Sequence, residues 1–259
     1  EQNLIGVSAG LSSEGFKSIA VAQAAFISMR SFEQVRQYMG YMHHNMIALG
    51  ISSGFALTFF GNTHYAIEDL SLMRSIPGMV VLSPADAGEA VKAFECALSE
   101  SSPVYIRLTG GLNNPIVYKE DFHYQLGKAN QVYNEGNDIT LFATGSMVYM
   151  AMKAAEILCG KGCGVRVIDV HTIKPLDYDI ISDCKESRLF VSVEEHAVVG
   201  GLGSAIADYI SQSTCFPPLY KLGVQDMFST PGDYLYLLEQ HRLTPELIAE
   251  DVLSKYEML

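Results

Sequence analysis

Three polar residues lie at the ends of predicted elements, where their side chains could bind or react with a small molecule. Glu1 begins an apolar helix pattern, His64 follows a Gly-Asn-Thr turn, and Arg107 ends a buried run at residues 104–106. A carboxyl group can share a proton, an imidazole can move one near neutral pH, and a guanidinium binds anions. Taken alone, Glu1 and His64 also have ordinary explanations, as a helix-dipole partner and a surface histidine.

Aromatic side chains accompany these groups. Phe26 precedes the amphipathic stretch 31–41, and Phe60 lies four residues before His64. An aromatic residue before an amphipathic helix is most often part of the core, but its flat face can also hold a ring-shaped ligand. These rings therefore need a wider sequence context before a role can be assigned.

Histidine and cysteine spacing does not predict a metal site. His43 and His44 are adjacent, so on a helix they point about 100° apart and share no ligand face. Cys159 and Cys163 have no second pair or histidine nearby, and the five cysteines are odd in number. Unpaired thiols are typical of a reducing compartment, so we expect a cytoplasmic protein without a metal of its own.

The composition argues against two kinds of partner. Lys plus Arg is 17 and Asp plus Glu is 29, which gives a net charge of −12. Nucleic-acid binding needs clustered cations, and a membrane span needs about 18 or more uncharged apolar residues in a row. We find neither pattern in the sequence and expect neither partner.

Alternating strand and helix patterns must position the polar groups. Apolar residues recur at helical spacing, as at Ile67, Leu70 and Met73, between short buried runs. The predicted helices cover residues 1–14, 31–41, 67–76, 83–99, 147–158, 204–210 and 244–255, and the predicted strands 18–22, 46–50, 79–82, 103–108, 139–143, 165–170, 189–193 and 219–223. This alternation predicts an α/β fold with mainly parallel sheets covered on both faces.

One stretch without periodicity divides the chain. Residues 109–122 contain paired glycines and an Asn-Asn-Pro turn, which indicates a linker between two doubly wound domains. We expect a mainly parallel first domain over residues 1–115 and a smaller α/β second domain over 125–259. Because the chain opens within a helix pattern and without Met, we expect the first strand of the first domain to be missing.

Several motifs together resemble the transketolase family. They are Glu1-Gln2-Asn3 followed by Ala9-Gly10-Leu11, the run Arg30-Ser31-Phe32-Glu33-Gln34-Val35-Arg36, the segment from Thr63-His64 through Arg74-Ser75-Ile76-Pro77 to Pro84-Ala85-Asp86, the strand and loop at 165–177, and Glu194-Glu195-His196 with Gly200-Gly201-Leu202-Gly203. The resemblance covers essentially the whole chain, in order. It implies a thiamine-diphosphate pyrimidine-binding domain followed by a transketolase C-terminal domain. In the last motif we expect the glycines to serve tight packing rather than phosphate binding.

The resemblance implies cofactor contacts for three residues. Glu1 matches the glutamate that hydrogen-bonds N1′ of the aminopyrimidine and so favours the tautomer that deprotonates the thiazolium carbon. Such a carboxyl group is expected in a dry, apolar site. Phe26 matches one of the aromatic residues that hold the pyrimidine ring. The other aromatic position is Gln23 here, which can hydrogen-bond a ring but cannot stack like Phe.

The resemblance also implies substrate contacts. His64 matches a histidine near the reactive face of the cofactor, where it could exchange protons with substrate oxygens. Arg107 matches an arginine that contacts a substrate phosphate. An aspartate and a histidine that bind sugar hydroxyls are replaced by Phe60 and Ser52. We therefore expect a ketose or 2-oxo substrate with an anionic end and with fewer or differently placed hydroxyls than xylulose 5-phosphate.

The chain lacks a Gly-Asp-Gly motif, which in this family binds Mg²⁺ and the cofactor diphosphate. The resemblance thus implies the C-terminal half or small subunit of a transketolase-like enzyme, working with a diphosphate-binding N-terminal subunit or domain in a homodimer or heterotetramer. The implied reaction transfers a two-carbon ketol unit between carbonyl substrates. A 1-deoxyxylulose-5-phosphate synthase, the β subunit of a 2-oxo acid dehydrogenase and a noncatalytic assembly subunit remain alternatives.

Overall fold

The structure is a computed structural model that describes residues 1–109 and 114–259, where ten strands form two sheets of five. In chain order the strands are β1 (Ser18–Gln23), β2 (Met46–Ile51), β3 (Val80–Leu82), β4 (Val104–Arg107), β5 (Asn130–Asn134), β6 (Ile139–Ala143), β7 (Val165–Asp169), β8 (Thr172–Lys174), β9 (Leu189–Ala197) and β10 (Leu219–Val224). The α-helices are α1 (Gln2–Ser13), α2 (Phe32–Gln34), α3 (Asp69–Ser75), α4 (Ala87–Ser99), α5 (Met147–Gly160), α6 (Tyr178–Asp183), α7 (Leu202–Ile210), α8 (Tyr234–Gln240) and α9 (Pro245–Glu257). The glycine pair of the predicted linker lies outside the described residues.

Both sheets are mainly parallel, which confirms the predicted α/β class. The first has the strand order β1-β2-β4-β3-β8 and the second the order β10-β9-β6-β7-β5. Each carries one antiparallel edge strand, β8 in the first sheet and β5 in the second. The patterns did not predict these two strands, because β8 has three residues and β5 is only partly buried.

Strand β8 lies in the second half of the chain but completes the first sheet. It pairs with β3, with Val81 opposite Lys174 and Leu82 opposite Thr172. The two halves also share an apolar core, in which Ala20 and Phe142 belong to one cluster. The predicted domain limits, 1–115 and 125–259, stay a prediction, and β8 ties the two units together across them.

The predicted regular helix over 31–41 is wrong in detail. The chain is already helical before residue 31, and the segment contains the π-helical turns Phe26–Arg30 and Val35–Tyr41 on either side of α2. A π-turn accommodates an extra residue in a helix and is common at functional sites. Val35 and Met39 are buried as the periodicity predicts.

Two predicted helix starts can be compared with the structure. Asp86 Oδ1 accepts a hydrogen bond from the Glu89 backbone N–H (2.9 Å), so α4 begins at Ala87 rather than at the predicted residue 83. Pro245 occupies the first turn of α9, as predicted, whereas Thr244 stands at the predicted cap position without a side-chain capping hydrogen bond. In the described residues we find no helix with the length and apolar character needed to cross a bilayer.

Candidate active site

Glu1 stands immediately before α1 and is paired with a cation. Its Oε2 accepts a hydrogen bond from Nη1 of Arg30 at 2.8 Å, and the two side chains are 21% and 55% exposed. The dry, apolar setting expected for this carboxyl group is therefore not provided by the described part of this chain. Any such setting would have to come from a molecule that covers this surface.

Phe26 opens the π-turn that follows β1 and contacts two other site residues. Its ring meets the His64 ring edge to face, with centroids 5.0 Å apart. The Arg30 guanidinium carbon lies 4.2 Å from the centroid of the Phe26 ring, a cation–π distance. Phe26 thus joins the Glu1–Arg30 pair to the predicted catalytic histidine.

His64 follows a short 3₁₀-helix, Thr58–Thr63, which carries Phe60. The His64 and Phe60 rings stack with centroids 4.5 Å apart, and His64 Nδ1 lies 2.9 Å from Thr63 Oγ1. Gly61 within this helix has φ 72°, a left-handed conformation that favours glycine. Phe60 is 50% exposed, so the part of its ring that is not stacked on His64 is open in this chain.

Gln23 is the last residue of β1. Its side-chain Oε1 is buried and accepts no hydrogen bond from the described residues. A buried amide oxygen without a donor costs about 1–3 kcal/mol. Gln23 therefore offers an acceptor to a donor that the described chain does not supply.

Arg107 does not belong to this surface, so its predicted substrate contact is not supported. The side chain is 1% exposed, and its Nε donates to both carboxylate oxygens of Asp69 at 3.0 and 3.1 Å. Its Nη2 donates to the carbonyl oxygens of Ala66 and Glu195. The guanidinium is engaged inside the protein, where it links the first half to the second.

The glycine-rich turn binds a protein carboxylate. Glu194 accepts hydrogen bonds from the backbone N–H groups of Leu202 (2.7 Å) and Gly203 (2.8 Å) at the start of α7. Burial raises the pKa of Glu194 to about 7. A Cβ on Gly201 would overlap Glu194 Oε2. The predicted packing role of the glycines is therefore supported over a phosphate cradle.

Arg30 is the contact that sequence reasoning did not single out. Arg30 begins the run Arg30–Arg36 that resembles the family. It follows Phe26 by four residues, a spacing that places two side chains on one helix face. That spacing was a usable signal for the cation–π contact. Its ion pair with Glu1 joins residues 29 positions apart, which no local pattern shows.

The site is therefore a row of contacting side chains on one surface, running Glu1, Arg30, Phe26, His64 and Phe60. We name it the aromatic row. With Gln23, the row fits the pyrimidine end of thiamine diphosphate, because it combines a carboxylate, a ring face and an acceptor without a partner among the described residues.

Comparison with known proteins agrees with this fold and identifies the family. The pyrimidine-binding domain of transketolase matches residues 1–114, and the transketolase C-terminal domain matches residues 127–248. Together the two matches cover most of the chain with two domains of one family. The chain belongs to the transketolase family.

Individual relatives place it with transketolase subunits. The 6-deoxy-6-sulfo-D-fructose transketolase subunit of a Clostridium species is 39% identical over 96% of this chain and 76% of its own length. An apulose-4-phosphate transketolase subunit of Phocaeicola vulgatus is 34% identical, over 98% and 81%. A solved split-gene transketolase, described as an inactive β4 tetramer, superimposes with a TM-score of 0.88 at 37% identity, covering 98% of this chain and 81% of that one.

Proposed function

We propose that this chain is the small subunit, or C-terminal half, of a thiamine-diphosphate-dependent transketolase that transfers a two-carbon ketol unit between carbonyl substrates. The observation that carries the proposal is the aromatic row, because it brings Glu1, Phe26 and His64 onto one surface. Family membership alone leaves open whether this chain keeps a working site. A noncatalytic assembly subunit would have no need to keep these three side chains on one surface.

Each residue of the site has a proposed task. Glu1 holds a proton at the pyrimidine ring, and Phe26 with Gln23 orients that ring. His64 donates and accepts protons at substrate oxygens, and its ring is held in place by Phe26 and Phe60. When bound, thiamine diphosphate supplies the carbon nucleophile that attacks the substrate carbonyl.

A partner must complete the site. The aromatic row is open, because Phe60 is 50% exposed and Phe59 beside it is 79% exposed. Exposed apolar patches of this kind mark interaction surfaces. We infer that a diphosphate-binding N-terminal subunit covers it and holds the diphosphate with Mg²⁺, in a dimer or heterotetramer. The inactive tetramer of the split-gene relative is consistent with a subunit that needs such a partner.

The five free cysteines support a cytoplasmic location.

The substrate is proposed to be a ketose other than xylulose 5-phosphate. Phe60 offers no hydrogen bond to a sugar hydroxyl, and its place against His64 puts it at the proposed substrate side of the row. The two subunit relatives are named for 6-deoxy-6-sulfo-D-fructose and for apulose 4-phosphate, and neither name is xylulose 5-phosphate. An anionic end is still expected, but its contact is not Arg107.

Calorimetry with thiamine diphosphate and Mg²⁺ tests the proposal. The chain alone should show no magnesium-dependent binding, and addition of the diphosphate-binding subunit should restore it together with ketol transfer. Submicromolar binding to the isolated chain would exclude a site shared with a partner. A complex that binds the cofactor but keeps full activity after Glu1→Gln would identify a noncatalytic subunit.

A further inference from the structure

Arg30 touches both residues that are proposed to hold the pyrimidine ring. Its Nη1 donates to Glu1 Oε2 at 2.8 Å, and its guanidinium lies over the Phe26 ring. Its backbone carbonyl accepts a hydrogen bond from Gln2 Nε2 at 3.3 Å, which ties the π-turn to the start of α1. One side chain therefore fixes the position of two others that come from different elements.

The π-turn makes this arrangement possible. The Ser31 backbone N–H donates to the Phe26 carbonyl at 3.3 Å, which is an i→i+5 bond. The wider turn places the guanidinium over the Phe26 ring while its edge reaches Glu1. A planar guanidinium suits this double task, because it can donate along its edge and stack with its face.

The charge-assisted bond also decides which carboxylate oxygen is free. Glu1 Oε2 is held by Arg30, whereas Oε1 receives no hydrogen bond from residues 1–109 or 114–259. A glutamate side chain without this bond would sample several rotamers, so its free oxygen would have no fixed position. The pair is exposed, and exposed pairs contribute little to folding stability.

We propose that Arg30 is a positioning residue, which holds Glu1 and Phe26 so that Glu1 Oε1 faces the pyrimidine ring of the cofactor. This inference rests on the proposed function. Arg30 acts through Glu1 and Phe26 and takes no part in the chemistry itself. Its removal should therefore affect cofactor binding and activation more than the fold.

The test compares Arg30→Met with Arg36→Met in the complex with the diphosphate-binding subunit. Arg36 is an exposed arginine on the same helical segment and serves as the matched control. Arg30→Met should weaken thiamine diphosphate binding, measured by calorimetry, by about tenfold, the loss expected for one hydrogen bond to a charged group. It should also slow exchange of the cofactor C2 proton with deuterium, followed by NMR. Arg30→Lys should restore part of both, because it keeps the charge but not the stacked plane.

A double-mutant cycle of Arg30→Met with Glu1→Gln distinguishes two roles of Arg30: positioning Glu1, or contacting the cofactor independently of Glu1. If Arg30 acts through Glu1, adding Arg30→Met to Glu1→Gln should slow C2 exchange little further. Fully additive losses, or an Arg30→Met variant that matches Arg36→Met, would overturn the proposal. If the wild-type complex binds no thiamine diphosphate, the proposed function fails instead, so the two failures are distinguishable.

Discussion

Glu89, in the first turn of α4, faces Asp169, at the end of β7, so two carboxyl groups from opposite halves of the chain meet in the interior. Both side chains are 0% exposed. Glu89 Oε2 accepts from the Ala85 backbone N–H and Asp169 Oδ2 from the Tyr118 hydroxyl, both at 2.7 Å. The remaining oxygens, Glu89 Oε1 and Asp169 Oδ1, have no other partner among the described residues. One proton shared between them satisfies both and links the halves.

This pair makes stability depend on pH. Burial and the nearby Asp169 charge raise the pKa of Glu89 from 4.5 to about 10. The folded state therefore binds this proton more tightly than the unfolded state does, so stability falls as pH rises through this interval. In Glu89→Gln the amide can donate to Asp169 without titrating. The stability of this variant relative to wild type should rise by up to about 1.4 kcal/mol per pH unit.

Urea unfolding at pH 6, 7 and 8 measures this difference. Glu95→Gln is the matched control, because Glu95 lies on the same helix but is exposed, and its pH profile should follow the wild type. Parallel profiles for wild type and Glu89→Gln would show that the two carboxyl groups do not share a proton.

Arg107→Met should destabilise the fold and should not act as a substrate-binding variant. The substitution leaves the buried Asp69 carboxylate without its cation, which costs about 3–5 kcal/mol. Unfolding measurements on the chain should show this loss directly. Arg74→Met, which removes an arginine whose Asp208 partner is mostly exposed, should cost much less. A stable Arg107→Met variant with impaired binding of anionic substrates would restore the substrate contact that the resemblance implied.

Local patterns were enough to predict the α/β class and most strands, because burial and periodicity act over a few neighbouring residues, but they assigned no site residue. Phe26, Phe60 and His64 were assigned instead through the family resemblance, and the structure brings their rings into contact. The sequence did not reveal the inward orientation of Arg107, because a position at a strand end does not show that Asp69, 38 residues away, binds its guanidinium. The π-turn at Phe26–Arg30 was missed because helical periodicity does not distinguish an added residue from a regular turn.

Glu1→Gln should remove most turnover of the assembled enzyme and leave the fold intact. The amide keeps the size of the side chain but cannot share a proton, and loss of a positioned acid or base typically costs about 10²–10⁴-fold. The Arg30 pair that it weakens is exposed, so thermal unfolding should change little. Steady-state kinetics and circular dichroism on the same preparation check both statements. Unchanged turnover would remove Glu1 from the catalytic role.

Gly201→Ala should destabilise the second domain. The added methyl group would overlap Glu194 Oε2 and lie 2.6 Å from His196 Nδ1, both on buried side chains. Overpacking of this kind costs about 1–3 kcal/mol. Gly10→Ala is the control, because nothing lies within 4 Å of its added Cβ and alanine favours a helix. Equal unfolding midpoints for the two variants would mean that the turn relaxes around the new methyl group.

Phe60→Asp tests the substrate proposal. Phe60 is stacked on His64 and half exposed, so its replacement should leave the fold intact. Each unpaired hydroxyl buried against Phe60 costs about 1–3 kcal/mol, and an aspartate would supply an acceptor. The variant should gain kcat/KM for xylulose 5-phosphate by about tenfold relative to ketoses with fewer hydroxyls. Phe59→Asp, at the more exposed neighbouring ring, should not produce this shift.

If wild type already prefers xylulose 5-phosphate by a wide margin, Phe60 does not set specificity. If Phe60→Asp only loses activity with every ketose, the ring serves to hold His64.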